Sequence, residues 1–236
     1  MVEPAARLIE VPATGETFER AITRANAWLT SILASADGEP LVRQRGEHFG
    51  GLSDSPAVAV RVIGRPAHIG EIAMLEAWLG ATLPPSYRRF LKTFGQVEFL
   101  HHPHRPTLAA GAIKSVTEAY RDMMDEWFDG YEQEGFGVEW EIAERQRCGY
   151  GSWREWPNGA GVFRPEEVKD RNFVPICPGF EKDAHMLALH LADEQGEAPI
   201  FQNHADDGAA FVLRGMTFDG WMTSMVDELI ATAIPR

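Results

Sequence analysis

The chain has 236 residues, of which 44% are hydrophobic and 10% aromatic, and this is enough apolar side chain to bury a sizeable core and to exclude wholesale disorder. The formal net charge is −13 at pH 7, which argues against unaided binding to nucleic acid or to an anionic membrane, because contacts to phosphate need Lys and Arg. A surface of this sign instead attracts basic partners.

Cysteine usage and the N-terminal sequence bear on the compartment. Cys148 and Cys177 are the two cysteines of the chain, too few and too far apart for a disulfide framework or a CxxC site. The opening stretch MVEPAARLIEVPATG lacks the basic and apolar regions of a signal peptide, and no apolar run approaches the ~20 residues of a membrane span. We therefore expect a cytoplasmic protein in a reducing environment, with no membrane partner.

The first quarter of the chain predicts one helix and one strand. Pro and Gly in residues 1–15 predict an extended arm, and apolar residues at helical spacing predict a helix from Phe18 to Leu33. Residues 39–56 have the composition of a loop. The stretch AVAVRVI at 57–63 is rich in Val and predicts a short strand.

The stretch LGATLPPSYRRFLKTFG, at 79–95, predicts a corner between two helices. A helix over 69–79 ends at Gly80, which suits a left-handed cap because it has no Cβ. Pro84 and Pro85 cannot continue that helix, but the fixed φ of proline suits the first turn of a new one. The new helix ends at Gly95. Its apolar spacing predicts burial of Tyr87, Phe90 and Leu91.

Glu76 lies inside this corner and its role is open from the sequence. It could cap the corner, pair with Arg88 or Arg89, or face a partner.

The rest of the chain predicts a third helix, a group of strands and a closing helix. Ser115 and Glu118 form a capping box at the predicted start of the third helix. Residues 129–165 look irregular. Strands are predicted over 173–177, 185–191, 199–202 and 209–213, and Thr217 is the predicted cap of the last helix. Because helices come first and strands cluster later, the order favours an α+β fold with a mixed, largely antiparallel sheet flanked by helices.

The corner sequence IAMLEAWLGATLPPSYRRFLKTFG resembles the opening signature of the SUKH superfamily, which contains the yeast cell-wall synthesis regulator and many bacterial toxin-immunity proteins. The matching positions are Ile72, Leu75, Glu76, Leu79, Gly80, Leu83, Pro84, Tyr87, Phe90, Leu91 and Gly95. The stretches FVPICPGFEKDAHMLALHL and APIFQNHADDGAAFVLRGMTFDGWMTSMVDEL are similar to the family's later strands and terminal helix. Two positions depart from the pattern: FGQ replaces an Asn-Gly-Gly-like end, and His190 replaces an acidic residue.

The resemblance covers roughly residues 69–230 and implies a domain organisation. Residues 66–236 would form a SUKH-like domain with an insertion at about 100–165. Residues 1–65 would be an N-terminal extension, a helix plus a strand, packed on the same core.

The resemblance also implies a binding protein without catalytic residues or cofactors. Bacterial members neutralise toxins by occupying them, so the implied function is an immunity protein that occludes the active site of a cognate toxin. A regulatory or scaffolding adaptor, like the eukaryotic branch, is the alternative.

Acidic residues concentrate in one segment of the chain. Residues 118–144 contain ten acidic side chains and one base, Arg121, for a net charge of −9. A basic partner such as a nuclease toxin would supply the missing cations, and interleaved aromatic residues could anchor it. The alternative is a solvated helix face over a core formed by those aromatics. The predicted partner-binding residues are Glu118, Asp122, Asp125, Glu126, Asp129, Glu132, Glu134, Glu139, Trp140 and Glu141.

Two groups of histidines raise the hypothesis of a metal-dependent enzyme. His101, His102 and His104 form one group, but adjacent histidines on a strand point to opposite faces, and no matching Cys or His pair follows. The second group is His185, His190, His204, Asp206 and Asp207. The sequence has no GxSxG elbow, phosphate-binding P-loop or HExxH motif. We therefore expect no metal site and no enzymatic activity.

Overall fold

The computed structural model describes residues 16–34, 59–100, 106–119, 122, 162–163, 173–177, 184–204, 210–213 and 216–233. Its helices are α1 (Phe18–Leu33), α2 (Ile69–Leu79), α3 (Pro85–Thr93), α4 (residues 110–119) and α5 (Phe218–Ala233). The strands are β1 (Val60–Val62), β2 (Val97–Phe99), β3 (Val162–Phe163), β4 (Phe173–Cys177), β5 (His185–Ala188), β6 (Ile200–His204) and β7 (Ala210–Leu213). These elements give the predicted α+β class.

The strands form two antiparallel sheets. β1 pairs with β2, and the larger sheet has the strand order β3-β7-β6-β5-β4. β4 and β5 are almost wholly buried. Every pairing between described strands is antiparallel. The pairing of β1 with β2 places the strand of the predicted N-terminal extension beside the end of the α2–α3 corner.

The corner forms as its sequence predicts. Gly80 adopts φ 67° and ψ 20°, the left-handed conformation that closes α2. Leu83 is buried over that end, and α3 begins at Pro85. The predictions of α1, α2, α3 and α5 from helical spacing are confirmed. So is the cap at Thr217, whose Oγ1 accepts a hydrogen bond from the Gly220 N–H at 3.3 Å.

The core is centred on α3 and the helices on either side of it. Phe90 of α3 lies 5.6 Å from Phe18 of α1 and 4.9 Å from Phe218 of α5, measured between ring centroids. Tyr87 lies 4.9 Å from Phe218. Tyr87, Phe90 and Leu91 are wholly buried, as predicted. The same cluster of buried side chains extends through β4, β5 and β6, so α1 shares the core of the described residues.

A carboxylate from the turn before β6 caps the start of α3. Glu197 accepts hydrogen bonds from the Ser86 N–H at 2.9 Å and from the Ser86 hydroxyl at 2.5 Å. A negative charge at a helix N-terminus is favourable because the first N–H groups of the helix lack partners. Glu197 is held in place because Asp193 accepts its backbone N–H at 3.0 Å. This contact joins the sheet to the corner.

The start of the third helix was predicted wrongly. Ser115 and Glu118 do not cap it, because α4 already begins at residue 110. The Ser115 hydroxyl instead donates to the Ala112 carbonyl at 3.1 Å, which is the backbone bond that serine makes inside a helix. Ile113, in the turn before Ser115, is wholly buried. Burial of that turn against the core accounts for the earlier start.

The strand predicted over 185–191 was too long. β5 ends at Ala188, and Leu189–Leu191 form a 3-10 turn. Leu189 stays buried whereas His190 is exposed. The chain has to turn here because residues 193–197 lead back to the cap on Ser86. The short strands β2 and β3 were missed, β3 within the stretch that looked irregular.

None of the helices in the described ranges is long and apolar enough to cross a bilayer. The predicted domain boundary at residues 65 and 66 stays a prediction, and most of the predicted insertion lies outside the described residues.

Gly95 and Gly80 offer a matched test of the corner. Both have positive φ, 71° and 67°, but a Cβ on Gly95 would lie 1.8 Å from the Arg65 carbonyl oxygen, whereas one on Gly80 meets nothing within 4 Å. We expect Gly95→Ala to lower the free energy of unfolding by roughly 3 kcal/mol or more, and Gly80→Ala by about 1 kcal/mol. Urea denaturation of both variants measures the difference, and equal losses would contradict it.

Candidate partner-binding surface

The acidic segment begins on α4. Glu118, near the end of α4, and Asp122, a described helical position beyond it, are both exposed. The Lys114 ammonium lies 3.8 Å from a Glu118 carboxylate oxygen, and both side chains are about half exposed. An exposed pair of this kind contributes little to stability. The carboxylates of Glu118 and Asp122 are therefore accessible to a partner.

Eight of the predicted partner-binding residues lie outside the described residues. They are Asp125, Glu126, Asp129, Glu132, Glu134, Glu139, Trp140 and Glu141. Of the predicted set, the structure thus places Glu118 and Asp122.

α4 lies beside α2. The Lys114 ammonium is 5.6 Å from the centroid of the Trp78 ring, a distance at which a cation is attracted to the ring face. Ile113 is wholly buried, and Val116 packs against the core. The outward side of α4, which carries Glu118, is thereby fixed relative to the corner.

Glu76 is an internal tie of the corner. Its Oε1 accepts a hydrogen bond from the Leu83 N–H at 2.8 Å and lies 3.3 Å from Arg88 Nε. The sequence left three roles open for Glu76. The structure shows two of them: Glu76 caps the corner and pairs with Arg88. Arg89 makes different contacts.

Arg89 joins three helices at their surface. Its guanidinium lies 3.0 Å from Glu19 of α1 and 2.9 Å from Asp219 of α5, and it stacks 4.8 Å from the centroid of the Phe18 ring. Asp219 also accepts the Phe18 N–H at 3.0 Å. These charges are used within the fold, so Arg89 and its partners are poor candidates for recognition.

The first turn of α2 carries a further ion pair within the chain. Glu71 accepts the His68 N–H at 2.7 Å, His68 Nδ1 accepts the Gly70 N–H at 3.2 Å, and Arg65 forms a salt bridge with Glu71. The hydrogen bond from Arg65, followed by that from His68, lowers the pKa of Glu71 to about 2. The carboxylate is therefore ionised under all ordinary conditions and neutralises Arg65.

The histidines do not assemble a metal site in the part of the chain that the structure describes. No group of three or more His, Cys, Asp or Glu side chains that could hold a metal occurs there. The His185 ring lies 5.6 Å from the Trp221 ring, whereas the ring of the exposed His190 lies 5.3 Å from that of Phe173, measured between ring centroids. The His204 side chain is not described, and His101, His102, His104, Asp206 and Asp207 lie outside the described residues.

Tyr87 is the ionisable group that the fold perturbs most strongly among those described. Burial, with a contribution from Cys177, raises the pKa of its phenol far above the usual range. The phenol stays neutral, so Tyr87 acts as a packing residue of the core. Cys177 is also buried and carries no disulfide.

The sequence reading missed an apolar surface on α2. Ile69 and Met74 are 57% and 69% exposed. The signal was present in the sequence, because IGEIAMLEAWL is apolar on the side opposite Ile72, Leu75 and Leu79 as well as on the buried side.

No protein-family model matches the chain, and no curated protein matches it.

The Glu71 pKa tests the geometry at the start of α2. Arg65→Met should raise the pKa of Glu71 from about 2 towards its ordinary value of 4.5, whereas Arg61→Met should leave it unchanged, because Arg61 pairs with Glu98. Because the pKa of Glu71 is lower in the folded state than in the unfolded state, its ionised carboxylate stabilises the fold above pH 4.5. This stabilisation is lost as the pH falls towards 2. An NMR titration of the Glu side-chain carboxyls measures both variants. A Glu71 pKa near 4.5 in the unmutated protein would contradict the ion pair.

Proposed function

We propose that this chain is a cytoplasmic immunity protein with a SUKH-like fold, which binds a cognate bacterial toxin and occludes its active site. It acts by binding, without catalysis and without a cofactor. The observation that carries the proposal is the concentration of negative charge in residues 118–144, which have a net charge of −9 in a chain of −13. The exposure of Glu118 and Asp122 supports it.

The charge defines the kind of partner. Carboxylates that repel one another along a single segment favour a partner that brings cations. A toxin that cleaves nucleic acid has a basic groove for the phosphate backbone, and an acidic surface placed over that groove neutralises it and blocks access. Complementary fields of this type raise association rates by about 10- to 10³-fold.

Aromatic side chains of the same segment supply the other requirement of a tight interface. Trp127, Phe128, Tyr131, Phe136 and Trp140 alternate with the acids in the sequence. Buried aromatic residues carry a large share of the binding energy in protein interfaces, while the charged rim governs rate and specificity.

The corner has a supporting role in this function. The positions that resemble the SUKH signature are used internally: Tyr87, Phe90 and Leu91 fill the core, and Glu76 ties Leu83 to Arg88. Residues committed to packing leave recognition to another surface. This division favours the acidic segment as the binding surface.

Co-expression tests the function directly. A toxin gene beside the gene for this chain is the expected partner, and cells expressing that toxin should survive only when this chain is present. The two purified proteins should form a stable complex in which the toxin has no activity. Turnover of a substrate by this chain alone, or a metal that copurifies with it, would point to an enzyme instead. A stable complex with a host protein and no protection would point to an adaptor.

Charge reversal tests the proposed surface. Asp125→Lys, Glu126→Lys and Asp129→Lys together should lower the association rate with the toxin by about tenfold or more, because they invert the local field. The single change Asp122→Lys should slow association in the same direction, whereas Glu194→Lys, an equal change of charge at an exposed turn residue, should not.

Surface plasmon resonance at several salt concentrations measures these rates. Association of the unmutated protein should slow as salt rises, and the triple variant should lose most of that dependence. An unchanged affinity in the triple variant would show that the acidic segment is a solvated helix face and that the toxin binds elsewhere.

A further inference from the structure

Two polar atoms of the aromatic core are buried without a hydrogen-bonding partner in the described part of the chain. They are the hydroxyl oxygen of Tyr87 and the indole Nε1 of Trp221. Tyr87 is wholly buried, and Trp221 is 2% exposed. Buried polar groups of native proteins are nearly always hydrogen-bonded, because a donor that loses water and gains no partner destabilises the fold.

Apolar packing does not account for these two atoms. The Tyr87 ring lies 6.2 Å from the Phe90 ring and 4.9 Å from the Phe218 ring, measured between centroids. The Trp221 ring lies 5.5 Å from Phe218 and 6.1 Å from Phe99. These contacts need only the rings, and a phenylalanine at position 87 would make the same ones. The hydroxyl and the N–H therefore require a separate explanation.

Both side chains meet the same part of the five-stranded sheet. Cys177 of β4 and His185 of β5 are direct cross-strand neighbours, so their side chains project from one side of the sheet. Burial is the main reason that the pKa of Tyr87 is raised, and the nearby Cys177 is the second. The His185 ring lies 5.6 Å from the Trp221 ring. Tyr87 and Trp221 thus lie over adjacent positions of the β4–β5 pair.

The chemistry of the two atoms limits what can bind between them. An indole N–H only donates a hydrogen bond, whereas a phenol hydroxyl both donates and accepts. A ligand shared by Tyr87 and Trp221 must therefore accept a hydrogen bond. Both side chains belong to the apolar core, where a charged ligand would lose its hydration at a large cost. The ligand is therefore a small neutral molecule, and water is the one that both accepts and donates.

We propose that the space between α3, α5 and the β4–β5 pair is a binding site for one buried water molecule, which joins the Tyr87 hydroxyl to the Trp221 indole N–H. Internal waters typically make about three hydrogen bonds to polar groups that are otherwise buried without a partner. The Cys177 thiol, a weak donor and acceptor, lies beside Tyr87 and is a candidate for the third.

The water gives the core a directional contact. Apolar packing is non-directional, whereas a hydrogen bond weakens steeply as its geometry departs from linear. One water bound to α3 through Tyr87 and to α5 through Trp221 fixes how these helices are rotated against the sheet. The inference is independent of the proposed function, because this site lies in the core and the acidic segment is a different part of the chain.

NMR of the unmutated protein tests the proposal directly. The Trp221 indole proton should show a cross-peak to water with the NOE sign of a long-lived bound molecule. The indole proton of Trp28, which is only partly buried, gives the comparison with surface hydration. A Trp221 indole proton without a long-lived water contact would overturn the proposal.

Removal of the Tyr87 hydroxyl gives a second test, in which the sign of the change is decisive. Tyr87→Phe should lower the folding equilibrium constant by about threefold to tenfold, the effect of one lost hydrogen bond. Thr107→Val is the reference, since Thr107 is also wholly buried and its hydroxyl accepts the Val97 N–H at 2.8 Å. Urea denaturation measures both. A Tyr87→Phe variant as stable as the unmutated protein, or more stable, would overturn the proposal, because a dry site gains by losing its polar atom.

A double-mutant cycle tests whether the two side chains share one water. In a Trp221→Phe background, Tyr87→Phe should lower the folding equilibrium constant by less than it does alone, because the water has already lost a partner. Additive losses would overturn the shared site. If Trp221→Phe does not fold, the NMR measurement on the unmutated protein still decides between a hydrated and a dry site.

Discussion

Burial of one face of α3 between α1 and α5 is the interaction on which the rest of the described structure depends. Tyr87 and Phe90 are wholly buried, and their rings contact Phe218, while Phe90 also contacts Phe18. α3 is short, and an isolated helix of its length is not stable in water. Its packing partners therefore determine that it forms, and the corner before it determines the direction in which it enters the core.

Polar contacts around α3 fix its position more than they add to its stability. Glu197 caps its first turn from the sheet, Glu76 ties Arg88 to the corner, and Arg89 joins α3 to α1 and α5. Each exposed ion pair contributes at most about 1 kcal/mol. What these contacts share is that each joins α3 to a different element. The carboxylates that make these contacts are bound within the fold, whereas those of Glu118 and Asp122 in the acidic segment are exposed.

The protein thus has two surfaces of different chemistry. The outward side of α4 starts a strongly acidic segment, which suits a basic partner and a salt-dependent association. The outer side of α2 is apolar and flanked by carboxylates that are paired within the chain. α4 and α2 are adjacent through Lys114 and Trp78. The outer side of α2 and the start of the acidic segment therefore lie near each other on the molecule.

Local sequence was sufficient for the helices and for the corner. Helical spacing identified α1, α2, α3 and α5, and Gly80 with Pro84 and Pro85 identified the turn, because caps and fixed φ angles act within a few residues. The sequence was insufficient at Ser115 and at His190. In both places a long-range contact prevails over the local signal: burial of Ile113 extends α4 backwards, and the return of the chain to Ser86 ends β5 early. The acidic character of residues 118–144 was also evident from the sequence, but the accessibility of Glu118 and Asp122 required the structure.

The sequence by itself determined which residues are apolar, where helices start and stop near the corner, and how charge is distributed along the chain. Only the tertiary structure decided which of those groups are bound by other parts of the fold. Glu76, Glu197 and Asp219 look like any other acids in the sequence, yet each is bound to a group seven or more residues away. The exposure of Ile69 and Met74 was decided in the same way. Helical periodicity shows that α2 has two apolar sides, but the placement of the core determines which side is buried.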